Sequence, residues 1–148
     1  MQPEKIATCF ALFTEIGIIE QLSRTLFQAK LPDGMLVSHF SVLNHLSRVG
    51  EGQTPLTIAK AFQVPKTTMT HTLAGLEKNG LIRMAPNPAD GRSKCVWITE
   101  AGSQFRQKAI MSVAPDMMKM AEALTMDEVA DILPTLAKIR AYLDEARN

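Results

Sequence analysis

Residues 54–80 read TPLTIAKAFQVPKTTMTHTLAGLEKNG. Thr54 followed by Pro55 has the form of an N-cap and a first helical position: a hydroxyl to accept an orphan amide, then a ring whose missing N–H is not needed there. A short helix follows, with Leu56, Ala59 and Phe62 expected to face inward. Gln63-Val64-Pro65 forces a turn, because the residue before a proline is steered out of the helical region. A second helix runs from Lys66 to about Asn79. Asn79-Gly80 supplies its stop, glycine being free to take positive φ. Two short helices across a tight turn, the second amphipathic, make a helix-turn-helix.

At 100° per residue the second helix has two unlike sides. Met69, Leu73 and Leu76 share one and are expected in the core. The other carries Thr67, His71, Ala74 and Lys78, flanked by Lys66, Thr68 and Thr70. Hydroxyl, imidazole and ammonium groups of this size suit a base-reading face: they approach groove edges, donate or accept, and meet thymine methyls. Glu77 is the one acid in the helix. A merely solvated face would be poorly served by four threonines, which are weak helix formers.

Working outward, 81–85 and 94–98 are short strand candidates. Between them Pro86-Asn87-Pro88-Ala89-Asp90-Gly91-Arg92 reads as a hairpin tip. The tip presents Arg92 and Lys94 beside Asp90, and a thin loop ending in arginine suits a narrow minor groove. A hairpin directly after a helix-turn-helix is the winged-helix arrangement. Upstream, 1–31 reads as one long helix ended by Leu31-Pro32-Asp33-Gly34, and Ser38 is the expected cap of a helix reaching Val49. Downstream, Thr99 caps a helix with Ala101, Phe105 and Ala109 at i, i+4, i+8, expected to continue to Leu124 with a bend at Pro115. Thr125-Met126-Asp127-Glu128 fits a capping box. The last helix carries Val129, Ile132, Leu136, Ile139 and Leu143 at near-heptad spacing, with Pro134 expected to kink or restart it. Apolar seams on the first and last helices exceed what so small a body can cover, and a second copy is the economical way to bury them.

From Leu36 onward the chain resembles the MarR-type winged helix-turn-helix transcriptional regulators. The carrying residues are Leu56 to Phe62, Val64 to Leu73, Leu76 to Ile82, Asp90 to Lys94 and Ile98 to Gly102. The resemblance implies a mainly α fold with a small β-hairpin wing. It implies a homodimer joined through its first and last helices, with one recognition helix per major groove and one wing per minor groove. It also implies that Asp90 and Arg92 form the wing motif, the arginine meeting DNA, and that a small-molecule pocket lies near where the wing body meets the dimer helices. Residues 1–35 are then an N-terminal dimerisation helix, 36–99 the DNA-binding domain and 100–148 the C-terminal dimerisation helices. His71 stands where the family often has arginine, and Pro65 where it usually has a serine or threonine cap.

Composition agrees with this class. The 148 residues are 46% hydrophobic and 21% charged, which excludes a disordered or collagen-like chain. The net charge of +1 is uneven: residues 36–99 sum to +4 and the remainder to −3. A basic middle between acidic flanks suits a segment that meets a polyanion. Glu15 and Glu20 interrupt the apolar stretch 6–26, so no membrane span is expected and the cytoplasm is the expected compartment. Cys9 and Cys95 are too few and too far apart for a disulfide scaffold. Cys9, among apolar neighbours, reads as a buried structural cysteine more readily than as a redox sensor. His39, His45 and His71 lack metal-binding spacing, so no metal and no cofactor are expected. Met111, Met117, Met118, Met120 and Met126 gather around Pro115. Methionine repacks easily, so Met111 and Met117, with Cys9, are the candidates for a ligand or redox site.

The expected function is a sequence-specific DNA-binding regulator, a homodimeric repressor on a palindromic operator, released by a small aromatic or apolar ligand or by oxidation. The alternative is a winged-helix protein-interaction module that does not bind DNA. No phosphate-binding glycine loop, nucleophile elbow or Ser–His–Asp set argues for an enzyme.

Overall fold

The structure, a computed structural model, describes residues 2–50 and 52–147. Among these residues, seven helices and a two-stranded antiparallel sheet follow in the order α1 (Pro3–Gln28), α2 (Val37–Val49), α3 (Pro55–Phe62), α4 (Lys66–Lys78), β1 (Ile82–Asn87), β2 (Asp90–Ile98), α5 (Glu100–Ser112), α6 (Ala114–Ala123) and α7 (Met126–Ala146). This is the mainly helical winged helix-turn-helix expected from the sequence. The chain divides into two compact units, one ending at Ser112 and one beginning at Val113.

In the first unit, α2, α3, α4 and the hairpin close one core. Leu43, Leu46, Ile58, Leu73, Leu76 and Val96 are almost wholly buried, each contributing about 1.5–3 kcal/mol by leaving water. The caps explain the helix limits. Thr54 Oγ1 accepts from Thr57 N at 3.3 Å, and Gln63 takes the left-handed conformation (φ 55°) that ends α3. Gly80, at φ 72°, turns the chain from α4 into the wing. There the Thr99 hydroxyl donates to Gly80 O at 2.6 Å and accepts from Gly102 N at 3.0 Å. One side chain thereby closes the base of the wing and caps α5. Gly102 is required beside it, because a Cβ there would collide with the Leu81 carbonyl.

Several expectations are corrected. The first helix stops at Gln28 rather than Leu31, and Met1 lies outside the described residues. Ser38 does not cap α2; the N-cap is Leu36, whose N–H donates to His39 Nδ1 at 2.8 Å. In α3 it is Ile58, with Ala59, that is buried, while Leu56 is exposed. In α5, Gly102 takes the inward position expected of Ala101. The strands reach further than 81–85 and 94–98, leaving only Pro88-Ala89 as the turn. Side-chain oxygens explain this: Asn87 Oδ1 accepts from Ala89 N at 3.0 Å, so the chain reverses within two residues. A register shift at Pro86/Asn87 absorbs the proline.

The helix after the wing does not bend at Pro115. It ends at Ser112, and α6 starts afresh with the proline in its first turn, where its missing N–H leaves no helical bond unmade. In the second unit the Thr125–Glu128 capping box closes as expected, with Glu128 N donating to Thr125 Oγ1 at 3.1 Å and Thr125 N to Glu128 Oε2 at 3.0 Å. Helix α7 runs through Pro134 without restarting. Neither α1 nor α7 buries a residue. An 18-residue stretch of α1 has a mean hydropathy of 1.3, long and apolar enough by composition to cross a membrane despite Glu15 and Glu20. Length and composition alone qualify it, and Glu15 and Glu20 still keep the stretch from being wholly apolar.

Candidate nucleic-acid interface

Helix α4 separates its two sides as its spacing requires. Met69, Leu73 and Leu76 are at most 3% exposed. Lys66, Thr67, Thr68, Thr70, His71, Ala74 and Lys78 are all exposed. Pro65 gives α4 no side-chain cap, so the amides of its first turn remain directed at whatever approaches that end. Lys78 lies 12 residues beyond Lys66, about 18 Å along the axis, and so meets a different part of any partner.

Arg92 stands almost entirely in solvent. Its backbone amide and its Nε both donate to Asp90 Oδ1, at 3.0 and 3.2 Å. These bonds hold the Asp90 carboxyl below its ordinary range, the backbone amide having the larger effect and the guanidinium the smaller. Nearby, Ser93 Oγ donates to Asp90 O and accepts from Asn87 Nδ2. The tip is thus fixed by its own side chains, and the guanidinium is aimed outward.

The two halves of the expected site meet in space. An open cleft of about 540 Å³ runs between the start of α3, the start of α4 and the wing, lined among others by Thr54, Lys66, Arg92 and Lys94. Three cations therefore line one depression, a convergence the sequence suggested only as separate stretches. A second cleft, of about 610 Å³, lies between the end of α1 and the start of α2, lined by Arg24, Gln28, Leu36 and Val37 among others.

The residues offered for a ligand or redox site behave differently. Cys9 is exposed rather than buried, while Cys95 is buried. Helix α1 buries no residue, so apolar neighbours in its sequence did not imply cover. Met111 and Met117 are exposed on their respective helices, and neither lines the two clefts above. Sequence reasoning weighed His39 only as a metal ligand and passed over Gly75. His39 is 9% exposed, and its Nε2 lies 2.8 Å from where a Cβ on Gly75 would stand. A glycine in mid-helix was the available signal, since such a residue often marks a close approach.

An exposed polar helix in second position of a helix-turn-helix, followed by an arginine-tipped hairpin, defines a winged helix-turn-helix protein. Residues 33–93 match the model of the MarR family, and that segment is a MarR-family winged helix. Three solved structures extend the likeness over most of the chain. MarR from E. coli in its apo form is 27% identical with a TM-score of 0.72, covering 86% of this chain and 96% of its own. BldR from Sulfolobus solfataricus, a transcriptional regulator, is 25% identical with a TM-score of 0.78, covering 96% and 99%. A mutant of E. coli MarR complexed with operator DNA is 26% identical with a TM-score of 0.69, covering 89% and 95%.

Proposed function

We propose that this chain is a cytoplasmic, sequence-specific DNA-binding transcriptional regulator that acts as a homodimer on a palindromic operator and represses. The observation that carries the reading is the cleft where Lys66, at the start of the exposed face of α4, meets Arg92 and Lys94 of the wing. Helix and wing together present cations to one polyanion, with hydroxyls and an imidazole between them for base edges. The complex of the similar E. coli MarR mutant with operator DNA supports the same use of this fold.

The dimer rests on the apolar faces left open. Phe10 and Leu22 of α1 and Ile132 and Leu143 of α7 are roughly half exposed or more in the single chain. A second copy that covers them also supplies the second reading helix a palindrome needs. Release from DNA is assigned to a small apolar or aromatic ligand, for which the α1–α2 cleft beside Arg24 and Gln28 offers a place, or to oxidation at exposed Cys9.

The test is selection from a random duplex pool at about 150 mM salt, with the bound species sized by light scattering. Recovery of a palindrome with half-sites one helical turn apart, on a dimer, supports the reading. A pool that shows no enrichment, with or without added aromatic acids or oxidant, overturns it. Protein partners captured insensitively to nuclease and salt would then favour an interaction module.

A further inference from the structure

His39 occupies the third position of α2 and joins two elements that the DNA reading requires to be in register. On one side its Nδ1 accepts the Leu36 N–H at 2.8 Å. A ring nitrogen that accepts carries no proton, so the neutral ring is protonated at Nε2. On the other side the ring fills the space left by Gly75, where a Cβ would stand 2.8 Å from Nε2. Glycine in mid-helix costs about 0.5–1 kcal/mol relative to alanine, and here it lets α4 settle directly on the imidazole.

Leu36 is itself held from α1. Gln28 Nε2 donates to Met35 O at 2.9 Å, and Val37 N donates to Gln28 Oε1 at 3.0 Å. One continuous linkage therefore runs from the end of α1, through the start of α2, to the middle of the recognition helix.

We propose that His39 is a positioning residue that seats the recognition helix only while its ring is neutral, so that mild acid unseats α4 and lowers DNA affinity. The proposal rests on the DNA reading above. Taking a proton from solvent turns Nδ1 from acceptor to donor, setting two N–H groups against each other at Leu36. It also places a cation beneath α4. The titratable group whose charge acts there is His71 on α4, which opposes that cation when it is itself charged. From α1 the facing group is the neutral Gln28 amide, and from α5 Arg106 reaches Asn44, further along α2.

Burial first, and His71 second, push the His39 pKa below its ordinary 6.5. Between that lowered value and 6.5 the disengaged ring binds more protons than the seated one. The seat is therefore complete above 6.5 and is lost as pH falls through the window beneath it. His71 works in the opposite sense, since on the exposed reading face its protonation adds a cation toward phosphate.

The full chain has three histidines, so imidazole NMR resolves each one, assigned by single substitutions. The expected result is an Nε2–H tautomer for His39 and a midpoint below 6.5. In the same window the Leu36 amide and the amides of α4 should lose exchange protection. His39→Asn keeps an acceptor oxygen near Leu36 without titrating, and should show no such window. In a His71→Asn background, affinity for a selected duplex should fall at least tenfold between pH 7.5 and 5.5 at constant ionic strength. Adding His39→Asn should hold it within twofold. An Nδ1–H tautomer, a midpoint at or above 6.5, or an unchanged pH profile in His39→Asn overturns the proposal. The NMR measurement on the unsubstituted chain decides even where His39→Asn fails to fold. A chain that binds no duplex at any pH, with His39 titrating as expected, overturns instead the functional reading and the affinity half of the proposal.

Discussion

Asp90 Oδ1 accepts two hydrogen bonds from a single residue, the backbone amide of Arg92 at 3.0 Å and its Nε at 3.2 Å. So exposed an ion pair adds little to stability. Its consequence is geometric: the amide bond shapes the tip, and the Nε bond turns the rest of the guanidinium away from the wing. The wing is therefore organised before any partner arrives, which reduces the ordering cost of binding.

Arg92→Ala is accordingly expected to leave thermal stability unchanged while weakening duplex binding by about 1.5–3 kcal/mol per wing, the range for a hydrogen bond to a charged group. The slope of log affinity against log salt should fall by about 0.9 for each phosphate that the substitution leaves without its cation. Asp90→Asn keeps an acceptor for the amide and removes the charge that aims Nε, so its effect should be smaller and in the same direction. Salt titrations of both variants on one duplex check this, and an unaltered slope for Arg92→Ala removes the wing from the interface.

His71 stands exposed on α4. Changing it to alanine should alter base preference at one position of each half-site, at about 1–3 kcal/mol for a good contact. The rest of the selected sequence should stay as it was. Repeating the duplex selection with the variant is the measurement, and an identical sequence preference would assign His71 to solvent.

How far the sequence could be read depended on whether a feature was local. The Thr54 cap, the Gln63 turn, the Gly80 stop and the Thr125–Glu128 box each depend on neighbours within a few residues, and all were legible. The α4 faces were equally so, because a single helix fixes both. Pairings across elements were not. The Thr99 hydroxyl could be assigned to α5, but its bond to Gly80 O spans 19 residues and needed the fold. His39 reads as an ordinary helical residue until the fold sets Gly75 above it. The exposure of Cys9 was misjudged because apolar neighbours in sequence were taken for buried surroundings, whereas α1 contains no buried residue.

Gly102 gives a prediction about the fold alone. An added methyl would meet the backbone carbonyl of Leu81 and the Cγ1 of the Ile98 side chain, and the carbonyl is fixed by the base of the wing. Gly102→Ala should cost about 1–3 kcal/mol as overpacking, lowering Tm by roughly 2–12 °C. Gly91 has open space around it, so Gly91→Ala in the same wing should melt with the parent chain. Circular-dichroism melts of the two variants make the comparison, and equal Tm values would show that α5 can shift away from the wing.

The apolar faces of α1 and α7 decide between a second copy and a lipid surface. Leu22 is 67% exposed and Ile132 56%, and neither belongs to the core of the first unit. Leu22→Glu and Ile132→Glu should therefore leave that core folded. If the faces bury against a second chain, each substitution places an unpaired carboxylate in the interface. Light scattering should then shift from twice 16.3 kDa toward 16.3 kDa, and duplex affinity should fall to that of a single half-site reader. Helix α1 has the length and hydropathy to meet a bilayer instead. In that case the parent chain should sediment with vesicles of neutral lipid, and Leu22→Glu should release it with no change in the mass of the soluble species. Observing the dimer without vesicle binding assigns the apolar face of α1 to protein, and the regulator then brings two reading helices to DNA as one pair.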